Sequence, residues 1–252
     1  MIKTRVIPLL LLKDGLLKKP VKFENPRTVA NPISIVRVFE ARQVDELILL
    51  DIGSAAQQRN VNPDIVRMIT EELTVPFSCG GGVKSIDQMS ELISAGAEKI
   101  VFNTAAVESP DLIEKAAARY GRQCIVISID AKKLENDTYE VRIRNGSENT
   151  GLEPVCWAQE VEKCGAGEIL INAIDRDGTM TGYDLNLIRR ISDAVEIPVI
   201  AAGGAGKPED FPPAVLEGHA SAVTAGSIYH YTKTTPDMVK ETMQAEGIPV
   251  RL

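Results

Sequence analysis

Two short glycine runs stand where a chain could grip an anion. Gly80-Gly81-Gly82 ends the aliphatic stretch "VPFSC" and opens the amphipathic stretch "VKSIDQMSELI". Gly203-Gly204-Ala205-Gly206 does the same between "IPVIAA" and "KPEDFPPAVL". Glycine lets backbone N–H groups approach an anion without a Cβ in the way, and a helix N-terminus adds free donors and a favourable dipole. Each run has a companion further along the chain, Asn103-Thr104-Ala105 and Ala225-Gly226-Ser227, with donors to close a cradle. One such turn could be no more than a tight connection. Two equivalent pairs predict an elongated ligand with a phosphate at each end. The stretch "CIVISIDAK" carries a carboxylate, Asp130, where the corresponding first stretch, "VIPLLLLKDG", carries Leu11.

The elements that must position these residues alternate regularly. Aliphatic strand-like runs fall near 5–12, 46–52, 76–79, 99–103, 124–130, 168–174, 198–202 and 221–225. Segments of helical period fall near 32–43, 61–72, 85–95, 110–119, 154–164, 185–195, 208–217 and 235–246. Eight of each in 252 residues predicts a (β/α)8 TIM barrel, α/β in class. Residues 133–150 read as a small hairpin inserted after the fifth strand, and no linker divides the chain, so a single domain spans 1–252. The halves repeat: Pro76 recurs as Pro198, Gly81-Gly82 as Gly203-Gly204, Gly96 as Gly218, Val101 as Val223 and Glu46 as Glu168. Strand one matches strand five, with Lys13 on Lys132 and Leu11 on Asp130. The fold is expected to be two half-barrels, only the second of which carries the acid.

Composition narrows the function. A net charge of −7 argues against a nucleic-acid surface. No apolar run approaches the length of a membrane helix, and the N-terminal residues lead directly into a strand, so the expectation is a cytoplasmic protein without a signal peptide. Four cysteines without a CxxC pair, and only two histidines, predict buried free thiols and no metal site. No cofactor is implied.

Alternate residues of a barrel strand face inward, which points Arg5, Ile7, Leu9 and Leu11 to one side. The same parity turns Arg5, Glu46, Lys99 and Glu168 inward at the N-terminal starts of strands one, two, four and six. Two cations and two anions there must pair with one another, since unpaired buried charge is costly.

The chain resembles the cyclase subunit of imidazole glycerol phosphate synthase over essentially its whole length. The resemblance rests on "KDG" at 13–15, "DELILLDI" at 45–52, "GGGVKS" at 80–85, "NTAAV" at 103–107, "CIVISIDAK" at 124–132, "GAGEIL" at 165–170, "DRDGTMTGYD" at 175–184 and "GGAGK" at 203–207. It implies a barrel of twofold internal symmetry, a lyase of histidine biosynthesis. It further implies a bis-phosphorylated substrate and ammonia delivered through the barrel from a HisH-type glutaminase partner. Two aspartates act as acid and base in that family; Asp130 matches the second, and Leu11 occupies the place of the first. Where the family places small polar residues near the top, this chain has Leu9, Val101 and Ala202, and Asn172 where it has a threonine. Asp177-Gly178-Thr179 matches a substrate loop, Lys19 falls on a lysine of the mobile first loop, and Arg5, Glu46, Lys99 and Glu168 match a charged gate for ammonia.

A barrel that keeps the gate and the phosphate turns but lacks an acid looks like a divergent branch of the family. That branch accompanies a glutaminase and a sugar amidotransferase in forming acetamidino groups for surface polysaccharides. Two other readings stand beside it. One is an active cyclase with Asp14 or Asp51 as substitute acid; the other is a regulatory barrel that binds a phosphorylated metabolite and has no channel.

Overall fold

A computed structural model describes residues 3–54 and 59–252. The first barrel strand, β1 (Arg5–Lys13), runs into a hairpin of β2 (Leu16–Val21) and β3 (Glu24–Ala30), then α1 (Pro32–Ala41). The first half continues with β4 (Leu47–Asp51), α2 (Pro63–Thr70), β5 (Phe77–Gly80), α3 (Ile86–Ser94), β6 (Lys99–Phe102), α4 (Thr104–Glu108) and α5 (Asp111–Tyr120). The second half opens with β7 (Ile125–Lys133), the strands β8 (Tyr139–Ile143) and β9 (Glu148–Asn149), and α6 (Pro154–Lys163). It ends with β10 (Glu168–Ala173), α7 (Leu185–Ser192), β11 (Val199–Ala202), α8 (Phe211–Leu216), β12 (Ala222–Ala225), α9 (Ser227–Tyr231) and α10 (Pro236–Ala245).

Eight parallel strands, in the order β10-β11-β12-β1-β4-β5-β6-β7, close on themselves because β7 also pairs with β10. The fold is the expected (β/α)8 barrel. Its strands are apolar on both faces because one face fills the barrel and the other meets the helices. In β1, Ile7, Leu9 and Leu11 join Ile48, Val101, Val126, Leu170, Ile200, Ala202 and Ala222 inside the barrel. The alternate residues Val6, Leu10 and Leu12 pack outward in the larger layer beneath the helices. Helix starts follow local chemistry: Asn31, Asn62 and Thr235 each accept a backbone N–H with their side chains, and a proline follows each at the first helical position.

The hairpin expected after the fifth strand is present as β8 and β9, which continue antiparallel from β7. Its counterpart after the first strand, β2–β3, is not expected from the sequence. The reason is visible in β3, a strand with no buried residue, which carries no apolar alternation to signal it. The short helices α4 and α9 are likewise additions, each beginning at a companion loop of a glycine turn. The thiols depart from expectation: Cys79 and Cys164 are buried, Cys124 is half-buried and Cys156 is exposed on α6. Among the described residues no helix is long and apolar enough to cross a membrane.

Candidate functional site

Both glycine turns lie at the C-terminal ends of their strands, where barrels carry their sites. At the first, Gly81 and Gly82 have φ of 115° and 68°. A Cβ on Gly82 would stand 1.9 Å from the Arg59 carbonyl oxygen, so only glycine fits. Gly81, Gly82, Asn103 and Thr104 line one side of a cavity of about 530 Å³. Leu9, Leu11, Leu50 and Val101 form its apolar floor, with Asp130 at the inner edge. Arg59, Lys84 and Arg144 supply cationic lining that the sequence did not single out. Arg144 arrives on the β8–β9 hairpin, whose backbone docks on Thr104 through the Arg144 N–H at 3.1 Å.

Asp130 ends the inward row of β7, beside Asn172 of β10. Its carboxylate accepts from Asn103 Nδ2 at 2.7 Å and from Ser128 Oγ at 3.2 Å. Burial pushes this carboxyl up from its ordinary 3.8 to about 6; those two hydrogen bonds oppose the rise and the Asp177 charge adds to it. Such a group exchanges its proton near neutral pH. Leu11 is buried in the barrel interior and supplies no second acid. Of the two candidate substitutes, Asp51 lines the same cavity and Asp14 does not. Asp14 is exposed in the turn after β1. Asp51 is held by Arg59 at 2.6 Å and by the Gly53 N–H at 2.9 Å. Asn172 Oδ1, by contrast, is buried without a protein partner in the same cavity wall.

The second cradle gathers Asp177, Gly178, Gly203, Gly204, Gly226 and Ser227, as the sequence proposed. Gly203, at φ 86°, would bring a Cβ to 2.5 Å from Asn172 Oδ1. Thr179 is not among the lining residues: its hydroxyl donates to the Arg176 carbonyl at 2.7 Å and shapes the turn. Lys19, named from the first loop, is buried here and pairs with Asp177 at 2.8 Å. His230 lies on α9 near it; burial, and then the Lys19 charge, lower its imidazole to about 4.

At the opposite end of the barrel the four expected charges close a ring. Arg5 reaches Glu46 at 2.6 Å and Glu168 at 2.9 Å. Lys99 lies 3.0 Å from each of the same two carboxylates. Ser78 Oγ donates to Glu46 at 2.7 Å. The formal charges cancel, and every carboxylate has a cation on both sides. Above the ring the interior is mainly aliphatic up to the floor of the large cavity, with Ser128 and Thr224 among the inward side chains. A second buried pair sits alongside at the base of the barrel: Lys240 of α10 meets Asp45 at 3.0 Å, and Asp45 also accepts the Val6 N–H.

A closed parallel barrel with a half-barrel repeat, a charged floor and a carboxylate among glycine turns at the top defines a specialised class of (β/α)8 protein. The chain belongs to the family described as "Histidine biosynthesis protein", whose profile matches residues 5–235. It is 43% identical over 247 residues to imidazole glycerol phosphate synthase subunit HisF of Streptomyces avermitilis, covering 98% of each chain. To the subunit HisF of Hydrogenobaculum sp. it is 42% identical over 252 residues, and to that of Alkaliphilus metalliredigens 40% over 251, covering 100% of each chain in both cases.

Proposed function

We propose that this barrel is the ammonia-accepting subunit of a glutamine amidotransferase complex, paired with a HisH-type glutaminase and acting on a phosphorylated small molecule. The observation that carries the reading is the ring of Arg5, Glu46, Lys99 and Glu168 beneath an aliphatic interior. Isolated floor charges facing only water would have no need to pair at four points. A dry interior favours neutral ammonia over ammonium, because desolvating the cation is costly. Ammonia enters when Lys99 swings from between its two carboxylates, and the interior leads it to the cavity at Asp130.

The complex supports sugar amidation, the formation of acetamidino groups in surface polysaccharide biosynthesis with a sugar amidotransferase as third component. Cyclase chemistry is weak or absent in it. Two proton-transfer groups contribute roughly 10²- to 10⁴-fold each, and Asp130 faces Leu9, Leu11 and Val101 where a second acid would stand. Co-purification with the cognate glutaminase, followed by amidation with glutamine as sole nitrogen source, tests the conduit. Glu46→Ala or Lys99→Ala should uncouple glutamine hydrolysis from amidation in a folded barrel; gate variants that amidate as well as wild type refute it. Failure to bind any glutaminase would leave the regulatory barrel instead.

A second reading, an active cyclase of histidine biosynthesis, is favoured by the full-length identity to three HisF subunits and by the Asp130 carboxyl titrating near neutrality. Turnover with free ammonium as nitrogen donor separates the two. Turnover near that of an ordinary cyclase establishes the second reading. Turnover that is absent in wild type and appears as a trace in Leu11→Asp excludes the second reading.

A further inference from the structure

The floor of the large cavity is apolar, but the wall around Asp130 collects hydrogen-bond acceptors that the fold itself does not use. Asn172 and Asp130 stand side by side in the parallel register of β10 and β7, and both line the cavity. Asn172 is 8% exposed, and its Oδ1 is buried without a protein partner. Gly203 makes the room for it, since a Cβ there would stand 2.5 Å from that oxygen. Asn103 brings a second carbonyl oxygen to the same wall. Its Nδ2 donates to Asp130 Oδ2 at 2.7 Å and to the Arg142 carbonyl at 3.1 Å. Turning this amide over would set its oxygen against two acceptors, so its partners fix the orientation. Asn103 Oδ1 is left buried and unpartnered as well.

Buried polar atoms without partners are rare, and each calls for a physical reason. Here the missing partner has a narrow chemistry. Asp130 receives its two side-chain hydrogen bonds from neutral groups, Asn103 and Ser128, and among the described residues no cation pairs with its carboxylate. The two arginines of the lining are directed elsewhere, Arg59 to Asp51 and Arg144 to Glu108, each at 2.6 Å. Two carbonyl oxygens and a carboxylate therefore stand together with no cation to answer them. A phosphate or carboxylate would be repelled there. An amidinium group fits: it is planar and cationic, with N–H donors and no acceptor. It can give a carboxylate two parallel hydrogen bonds and keep further N–H bonds for the carbonyl oxygens.

We infer that this wall of the cavity binds an amidine group of the ligand, with Asp130 as its counter-ion and Asn103 and Asn172 as its carbonyl acceptors. The carbon substituent of the amidine lies on the floor at Leu11 and Val101. Asn172, whose oxygen has no other use in the fold, is the member that selects for N–H groups. The inference deepens the function proposed above and rests on it for the source of the amidine nitrogen.

The intact 15N-labelled chain is titrated with three probes at pH 8, above the value of about 6 at Asp130. Acetamidinium should shift the side-chain amide signals of Asn103 and Asn172 and saturate at millimolar concentration. Acetamide has the shape but brings an acceptor and no charge, and should bind at least tenfold more weakly. Tetramethylammonium has the charge without an N–H, and should leave both signals in place. Asn172→Leu should weaken acetamidinium at least tenfold, whereas Asn172→Asp keeps an acceptor and should bind it at least as tightly as wild type. Should Asn172→Leu not fold, the three probes on wild type decide alone. Acetamide or tetramethylammonium binding as tightly as acetamidinium overturns the inference. So does undiminished acetamidinium binding in folded Asn172→Leu, or no shift of either signal at high millimolar concentration. None of these outcomes touches glutaminase coupling, which the floor-ring variants test. Conversely, gate variants that amidate as well as wild type refute the conduit and leave the amidine site standing.

Discussion

Replacing Asp130 by asparagine should make the protein more stable at neutral pH. The carboxyl is raised from its ordinary 3.8 to about 6, with burial as the largest cause. That displacement corresponds to roughly 3 kcal/mol between the two protonation states. Asp130 keeps some contact with the open cavity. Solvent screening therefore reduces the expected effect to about 1–2 kcal/mol. Between about pH 4 and pH 6 the folded chain retains a proton that the unfolded chain has released. The folded state thus binds more protons, and this group's contribution to stability falls as pH rises through that window; above pH 6 the deficit is constant. Asparagine preserves the shape, since its Oδ1 can accept from Asn103 Nδ2 and its amide can donate to the Ser128 hydroxyl, which rotates to accept. Urea denaturation of wild type and Asp130→Asn at pH 7.5 and pH 4 measures the difference. At pH 7.5 the variant should be more stable by about 1–2 kcal/mol, or about 3–6 °C in Tm, whereas at pH 4 the two should nearly coincide. A variant no more stable than wild type at pH 7.5, with an unchanged denaturant slope, would show that burial does not govern Asp130.

The floor ring makes its own prediction. Lys99→Met leaves Glu46 and Glu168 with Arg5 alone and should cost about 2 kcal/mol by thermal denaturation, below the usual cost of breaking a buried pair because one cation remains. Adding Glu168→Gln should recover part of that loss. Lys240→Met leaves Asp45 without its ammonium, both side chains being almost fully buried, and should cost about 3–5 kcal/mol in the same assay. The His230 ring should titrate near pH 4 by NMR, and Lys19→Ala should move it up only modestly, because burial is the larger cause.

Much of this protein was legible in its sequence because a barrel strand has a strict period. Once the first strand was placed, alternation alone turned Arg5, Ile7, Leu9 and Leu11 inward, and the structure has these apolar residues in the interior and Arg5 in the floor ring. The half-barrel repeat located both glycine turns, and Leu11 opposite Asp130, in the same way, since equivalent positions of a repeat fall on equivalent ends of strands. Balanced charges at matching strand starts announced the ring, because four inward charges can be tolerated only when paired. What the sequence could not carry was contact between segments that share no period. The exposed strand β3 has no alternation to read, so the first hairpin went unrecognised, and with it the burial of Lys19 against Asp177. Arg59, Lys84 and Arg144 sit on loops whose direction no local pattern sets. The inequality of the two cradles is wholly tertiary. Two nearly identical glycine turns have different surroundings because the β2–β3 hairpin packs over one of them, through Lys19 and Lys22 on Asp177, and only packing decides which.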